Sequence, residues 1–312
     1  MSAIPSRLRR HLAALGVAVA ITLALFPASA TEGDQILVLG RISDDPNAHY
    51  AQLKPLLDYV VPRMADVGIR EGRVLMARDL KQMESYLRRG RVDWVTETSA
   101  GAMQLRTGAG AEPLLLTERN GVSRYRTVFF ARRDSGIATL DDLRGRSIAF
   151  QSLNSTSAYY VPAAELLDRK LSLEILLSPR DRPVAGSVGY LFARSELNIA
   201  TWVHKRLVDA GTMSNLDWDS PQRVPPSYRQ DFTIIHQTPD YPRALELVRG
   251  NMDPAVKARL REVLVEAASD PDARDAMLGF FKTTRFLPID PVADHALHHL
   301  GIGIDRVHAA IE

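Results

Sequence analysis

The sequence contains no cysteine among its 312 residues. This excludes a disulfide framework, and with it the small secreted scaffolds that depend on one. It also excludes a thiol for lipid attachment or for nucleophilic catalysis. A hydrophobic core must therefore hold the fold, and the chain is long enough for one large or two medium domains.

Long apolar runs are lacking except near the N-terminus. There, "MSAIPSRLRRH" precedes the run "LAALGVAVAITLALF", and "ASA" ends at Ala30. This order is typical of a secretory signal peptide cleaved after Ala30. An uncleaved membrane anchor is the alternative, but the run is shorter than the roughly 20 residues that a span needs. We expect an exported protein.

Neither charge is in excess. The whole chain carries 39 basic and 37 acidic residues, a formal balance of +2, and removing residues 1–30 takes away three arginines and no acid, which leaves 36 − 37 = −1. Proteins that bind nucleic acids normally show a basic surplus or a basic face. The sequence therefore argues against a nucleic-acid partner.

Catalytic and cofactor motifs are also lacking. There is no G-x-S-x-G, no H-E-x-x-H and no Walker loop, and "GAGAEP" does not open a helix after a strand as a dinucleotide fingerprint does. His295 and His299 have the i, i+4 spacing of one helix face, but they supply only half of a zinc site. We predict no enzyme, no cofactor and no metal, and we interpret the C-terminal histidines as a polar helix face.

Alternating strands and helices are what the sequence does contain. "QILVLG", "RVLMA" and "VDWVT" are typical of buried strands, and amphipathic helices separate them. A second series begins at "YRTVFF". We predict an α/β fold of two mixed β-sheets with flanking helices, in two lobes joined by two crossings of the chain. Lobe I comprises residues 31–125 and 232–312, and lobe II comprises residues 126–231. Such a cleft can close on a ligand.

The segment "FQSLNSTSAYYVP" connects a strand to a helix in lobe II. Ser155, Thr156 and Ser157 lie where the helix begins, and serine or threonine there is common simply as a cap. The alternative is a cradle for an anion, since the N–H groups and the helix dipole favour negative charge. Pro162 is expected to kink this helix or to mark a second start.

The stretch "YRTVFFARRDSGIATLDDLRGRSIAFQSLNSTSAYYVPAAELL" resembles the solute-binding proteins of phosphonate and phosphite ABC importers, which have the type 2 periplasmic-binding-protein fold. Weaker similarity occurs at "YLRRGRVDWVTET", "LVDAG" and "QTPDYPRALELV". The resemblance implies a periplasmic protein that holds a small oxyanion between its lobes. It also favours the cradle over the bare cap at Ser155–Ser157.

Candidate ligand-binding residues follow from this resemblance and from the strand ends. They are Ser155, Thr156, Ser157, Tyr159, Tyr160, Glu97, Asp209, Tyr125 and Ser43. For the two tyrosines after the turn, half-buried packing is the alternative, and for Asp209 it is a structural role in a turn.

The sequence departs from the family pattern at two places. Glu97, in "TETS", stands where relatives commonly have small, neutral or aromatic residues, and Val188 replaces a histidine that relatives often have after Gly-Ser. A carboxylate beside a phosphonate is unfavourable unless the ligand carries an amine or the protein supplies a cation. If Glu97 faces the cleft, a zwitterionic or cationic ligand is favoured over simple phosphate.

The expected function is capture of a phosphonate, phosphite or phosphate ester for a membrane ABC permease. One alternative is a ligand sensor that reports to a membrane-bound signalling protein. Another is an enzyme on the same scaffold, for which Glu97 with Asp209 would be the acid–base candidates.

Overall fold

The structure is a computed structural model that describes residues 36–311. The predicted signal peptide lies outside the described residues. Within them, two six-stranded mixed sheets with flanking helices form two lobes, which confirms the predicted fold class.

The sheet of lobe I is built from six strands, β1 (Ile36–Ile42), β2 (Glu71–Ala77), β3 (Trp94–Thr98), β4 (Glu112–Arg119), β13 (Ala244–Val248) and β14 (Thr283–Leu287). Their order across the sheet is β14-β4-β13-β3-β1-β2. β1 is parallel to β2 and β3, whereas β13 and β14 run antiparallel to their neighbours. Leu37 and Leu39 are fully buried because side chains two apart share one face of a strand.

The helices of lobe I are α1 (Pro46–Val60), α2 (Leu80–Arg88), α3 (Ser99–Ala109), α8 (Pro254–Glu266) and α9 (Arg274–Gly279), with 3-10 turns at Val61–Val67 and Pro271–Ala273. Aspartates begin several of them. The side chain of Asp45 accepts a hydrogen bond from the N–H of Ala48, and that of Asp79 from the N–H of Gln82. These caps satisfy N–H groups that lack a partner within the helix.

The sheet of lobe II contains β6 (Thr127–Arg132), β7 (Ser147–Phe150), β8 (Leu173–Ile175), β9 (Val188–Phe192), β10 (Ala210–Ser214) and β11 (Phe232–Gln237), in the order β11-β6-β10-β7-β9-β8. Its helices are α4 (Val161–Asp168), α5 (Glu196–His204), α6 (Asn215–Trp218) and α7 (Pro226–Arg229), with a 3-10 turn at Leu140–Leu143. A π-helical turn, Thr156–Tyr160, precedes α4. Pro162 lies in the first turn of α4 and so marks the predicted second start.

The two crossings pair with each other as short antiparallel strands, β5 (Arg124–Tyr125) and β12 (Tyr241–Pro242). The rings of Tyr125 and Tyr241 lie 4.9 Å apart between centroids. Because β11 pairs with β6 along its length, Phe232–Gln237 belongs to lobe II. The return to lobe I therefore follows Gln237 and does not begin at residue 232 as predicted.

The C-terminal helix α10 (Pro291–Ile311) lies against α3 of lobe I and α4 of lobe II. Its buried residues include Leu297, Leu300 and Ile304, and they join one hydrophobic cluster with residues of both lobes. The lobes are thus packed together on this side. In the range 36–311 no helix is both long enough and apolar enough to cross a membrane.

Candidate functional site

A cleft of about 420 Å³ lies between the lobes. The wall from lobe I includes Arg41, Ser43, His49, Glu97, Thr98 and Gly101, and the wall from lobe II includes Gln151, Ser152, Asn154 and Ser155–Ser157. These segments follow or end β1, β3 and β7. The cleft therefore occupies the carboxyl ends of the strands, where open α/β sheets place their ligands.

The turn Ser155–Ser157 forms the lobe II wall. Ser155 is the helix cap, since its Oγ accepts a hydrogen bond of 3.1 Å from the N–H of Ala158. The first N–H groups of a helix have no partner within it and, with the dipole, favour an anion. The cap and the cradle are therefore compatible, because the same three residues cap the helix and line the cleft.

Thr156 joins this turn to lobe I. Its Oγ1 accepts a buried hydrogen bond of 3.0 Å from the N–H of Ala100, in the first turn of α3. Tyr125 also lines the cleft. Burial raises the pKa of Tyr125 to about 12, against hydrogen bonds with Ser157 and Thr156 that lower it. Tyr125 therefore stays a neutral phenol at physiological pH.

Glu97 faces the cleft from lobe I but is already paired within the protein. Its Oε1 accepts a hydrogen bond of 2.9 Å from the N–H of Thr98 and lies 3.4 Å from an Nη atom of Arg41. Arg41 also donates to the carbonyl of Thr96 at 2.9 Å. The protein thus supplies the cation that Glu97 requires, and the reason for favouring an amine-bearing ligand is removed.

Ser43 and His49 form a second polar pair on this wall. Ser43 Oγ lies 2.6 Å from His49 Nδ1 and accepts a hydrogen bond from the N–H of Asp45. Burial, followed by the nearby Arg41, lowers the pKa of His49, while neighbouring carboxylates act in the opposite direction. His49 is therefore mostly neutral at pH 7.

A second guanidinium lies behind Arg41. Arg119 is buried, and its guanidinium packs over the ring of Phe281 at 4.6 Å, while that of Arg41 packs over the same ring at 4.9 Å. Burial, followed by repulsion from Arg41, lowers the pKa of Arg119 to about 10. Since it remains charged at neutral pH, Arg119 adds positive potential to the lobe I wall.

Glu246, a buried carboxylate in β13, has its own partners. Glu246 accepts hydrogen bonds from Trp94 Nε1 at 2.6 Å, Thr96 Oγ1 at 2.9 Å and Thr117 Oγ1 at 2.7 Å. Burial raises its pKa, and those three hydrogen bonds counteract the shift. Glu246 thus sits within the sheet of lobe I and is not one of the residues that line the cleft.

Three of the predicted site residues, Tyr159, Tyr160 and Asp209, do not line the cleft. Tyr159 packs in an aromatic cluster with Phe150, Tyr190 and Phe192. Tyr160 donates from its hydroxyl to Gln104 Oε1 at 3.1 Å, which links the lobes behind the cleft. Both positions fit the packing alternative.

Asp209 lies at the other end of the lobe II sheet. It accepts hydrogen bonds from the N–H and Oγ of Ser147, at 2.8 and 2.9 Å, where β7 begins. This is the structural role that the sequence left open. Because Asp209 and Glu97 lie at different ends of the molecule's sheets, they do not form the acid–base pair considered for an enzyme.

Sequence reasoning missed several lining residues, among them Arg41, His49, Arg78, Gln104, Gln151 and Asn154. One signal was available. Arg41 and Ser43 are two apart at the carboxyl end of β1, so they share the side of the strand from which Ser43 was predicted.

In the part of the chain that the structure describes, no group of three or more histidine, aspartate or glutamate side chains could hold a metal. His295 and His299 lie on α10, as their spacing predicts. His308, further along that helix, has its Nε2 3.2 Å from the hydroxyl of Tyr160.

A family described as "ABC transporter, phosphonate, periplasmic substrate-binding protein" matches residues 41–294. Solved structures are also similar. XAC2383 from Xanthomonas citri, solved bound to chloride ion and bound to ATP, is 54% and 53% identical in the two structures. In both, the match covers 89% of this chain and 100% of that one, with a TM-score of 0.83.

A more distant structure has the same fold. PhnD1 from Prochlorococcus marinus, in complex with methylphosphonate, is 14% identical to this chain and has a TM-score of 0.60. The match covers 88% of this chain and 99% of that one.

Proposed function

Because the chain belongs to the family of periplasmic substrate-binding proteins of phosphonate ABC transporters, we propose that its cleft binds a phosphate-bearing compound and delivers it to a membrane ABC permease. The observation that carries the proposal is the position of the Ser155–Ser157 turn. This turn, at the start of a helix, lines the same cleft as Arg41. Hydrogen bonds from N–H, hydroxyl and guanidinium groups to an oxyanion are strong.

A phosphate ester is the ligand class that we propose. The Xanthomonas citri relative, at 53% identity, has been solved bound to ATP. A cleft of about 420 Å³ falls within the roughly 300–1,000 Å³ range of small-molecule sites, which leaves room for more than a lone phosphonate group. ATP is therefore the first compound to test, followed by phosphonates.

The work of the protein is binding and closure without chemistry. A ligand held by both lobes stabilises the arrangement in which the walls meet, in proportion to its preference for that arrangement. Delivery to a permease requires export, so we also propose that residues 1–30 are removed and that the mature chain acts in the periplasm.

A ligand screen with two substitutions of one residue tests the proposal. The mature chain, residues 31–312, is titrated calorimetrically with ATP, methylphosphonate, 2-aminoethylphosphonate, inorganic phosphate, a sulfonate and a cationic amine. The substitutions are Ser155→Asp and Ser155→Asn, because aspartate and asparagine cap helices about as well as serine.

We expect ATP or a phosphonate to bind the wild type and the Ser155→Asn variant. Ser155→Asp should lose at least about 100-fold in affinity, since its carboxylate repels the ligand, while its melting temperature stays near that of the wild type. Binding by a cationic amine alone, or equal binding to both variants, would overturn the proposed site.

A further inference from the structure

The Glu97 carboxylate occupies groups that are suited to an external anion. It accepts a hydrogen bond from the N–H of Thr98, at the start of α3, and lies beside the guanidinium of Arg41. Helix N-termini and arginines both bind phosphate oxygens well. On the lobe I wall, the protein's own carboxylate therefore uses the donors that a bound anion would use.

The backbone of α3 is shaped around this side chain. A β-carbon on Gly101 would lie 2.5 Å from Cγ of Glu97, which is far inside normal contact distance. Any larger residue at position 101 would displace the Glu97 side chain. Glu97 is also almost fully buried, with 7% of its surface exposed, so its position is determined by packing rather than by solvent.

The pair formed by Glu97 and Arg41 is incomplete. The contact of 3.4 Å is long for a charge-assisted hydrogen bond, since such bonds are about 2.7–2.9 Å. Nε of Arg41 is buried without a hydrogen-bond partner. Arg119, which lies behind the same ring, repels Arg41. Arg41 thus has hydrogen-bonding capacity that Glu97 does not satisfy.

We propose that Glu97 is an internal competitor for the anionic group of the ligand. The bound phosphate takes over the guanidinium of Arg41, and Glu97 must give up this partner. A ligand with several negative charges overcomes this competition better than a ligand with one. Glu97 thereby sets a threshold of ligand charge. This inference rests on the function proposed above.

The test uses calorimetric titration of the mature chain with ATP. Glu97→Gln removes the charge and keeps the size, and Glu97→Asp keeps the charge but withdraws it from Arg41 by one methylene. Asp275→Asn is the control for net charge, because Asp275 is exposed on α9 of lobe I and does not line the cleft.

We expect Glu97→Gln to bind ATP at least about tenfold more tightly than the wild type, and Glu97→Asp several-fold more tightly. Asp275→Asn should stay within about twofold of the wild type, since exposed and distant charges are screened. If both Glu97 variants bind more weakly, Glu97 contacts the ligand directly and the inference fails. Equal gains in affinity for Glu97→Gln and Asp275→Asn would mean that only the net charge of the protein matters, and would also overturn the inference.

Failure of the proposed function gives a different pattern. In that case neither the wild type nor any variant binds a phosphate compound, although thermal unfolding shows that all are folded. If Glu97→Gln does not fold, the ATP affinity of Glu97→Asp tests the inference instead, because this variant retains the negative charge beside Arg41.

Discussion

The two walls of the cleft differ in the kind of side chain that they present to a ligand. The lobe II wall consists of neutral polar residues, among them Ser155, Thr156 and Ser157. The lobe I wall is charged, with Arg41, Glu97 and the buried Arg119 close together. We propose that the lobe II wall forms hydrogen bonds with any oxyanion, and that the lobe I wall responds to how much charge the oxyanion carries.

In this account, the lobe II wall provides affinity for oxyanions in general, and the lobe I wall determines which oxyanion binds. A helix N-terminus favours negative charge without distinguishing one oxyanion from another. A guanidinium that is already paired with a carboxylate binds only those ligands that can displace the carboxylate. If the account is correct, substitutions in lobe I change which ligand binds, whereas those in the Ser155–Ser157 turn change whether any ligand binds.

Removal of Arg41 should have the largest effect. Arg41→Met eliminates the cation and leaves Glu97 buried without its partner, so an anion meets uncompensated negative charge. We expect the affinity for ATP to fall about 100-fold, or close to 3 kcal/mol, in calorimetric titration.

The double variant Arg41→Met/Glu97→Gln is the control for this effect. It should recover part of the loss, because the repelling carboxylate is gone. Wild-type affinity for ATP in Arg41→Met alone would mean that the lobe I wall takes no part in binding. This result would contradict the proposed difference between the two walls.

The contact between the walls should have the next largest effect, on stability. Thr156→Val preserves the shape of the side chain but leaves the buried N–H of Ala100 without its acceptor. An unsatisfied buried donor costs about 1–3 kcal/mol, so we expect a loss of this size in the free energy of unfolding, measured with urea.

Thr201→Val provides a matched comparison. The hydroxyl of Thr201 donates to the carbonyl of Leu197 in α5, at an exposed position of lobe II. Removing this hydroxyl leaves no buried N–H or O–H group without an acceptor. A loss in Thr156→Val no greater than in Thr201→Val would show that the contact between Thr156 and α3 does not hold the lobes together.

The smallest expected effect is a pH dependence in lobe I. Because the pKa of His49 is lowered in the folded protein, its contribution to stability is complete above the unfolded value of about 6.5 and is lost as the pH falls through the folded value. A bound anion favours the charged imidazole, so binding takes up a proton and tightens as the pH falls.

Between pH 7.5 and 5.5, the affinity of the wild type for ATP should therefore increase about two- to fivefold more than that of His49→Asn. His298→Asn, at an exposed position on α10, should behave like the wild type. Parallel pH profiles for the wild type and His49→Asn would exclude His49 from the charged wall.

The sequence revealed these walls to different degrees. The lobe II wall is one contiguous motif between a strand and a helix, so Ser155–Ser157 could be located from sequence alone. The lobe I wall assembles Arg41, Glu97 and Arg119 from three strands, and only Glu97 and Ser43 were proposed for it. The pairing of Glu97 with Arg41 depends on the register of β1 beside β3, which local patterns do not encode.

The predicted residues that lie away from the cleft lining also depend on long-range packing. Tyr159 and Asp209 have residue types suited to a binding site, and whether such a side chain faces a cleft or a core depends on packing between distant segments. The return to lobe I is predicted at residue 232, within β11, because the residues of a strand do not show which sheet it joins. The pairing of β11 with β6 places this strand in lobe II.

The most direct test of the central claim is a crystal structure of residues 31–312 with bound ATP. The account predicts phosphate oxygens within hydrogen-bonding distance of both the Ser155–Ser157 turn and the guanidinium of Arg41. Phosphates bound outside the cleft, or held by one wall while the other remains out of contact, would contradict it.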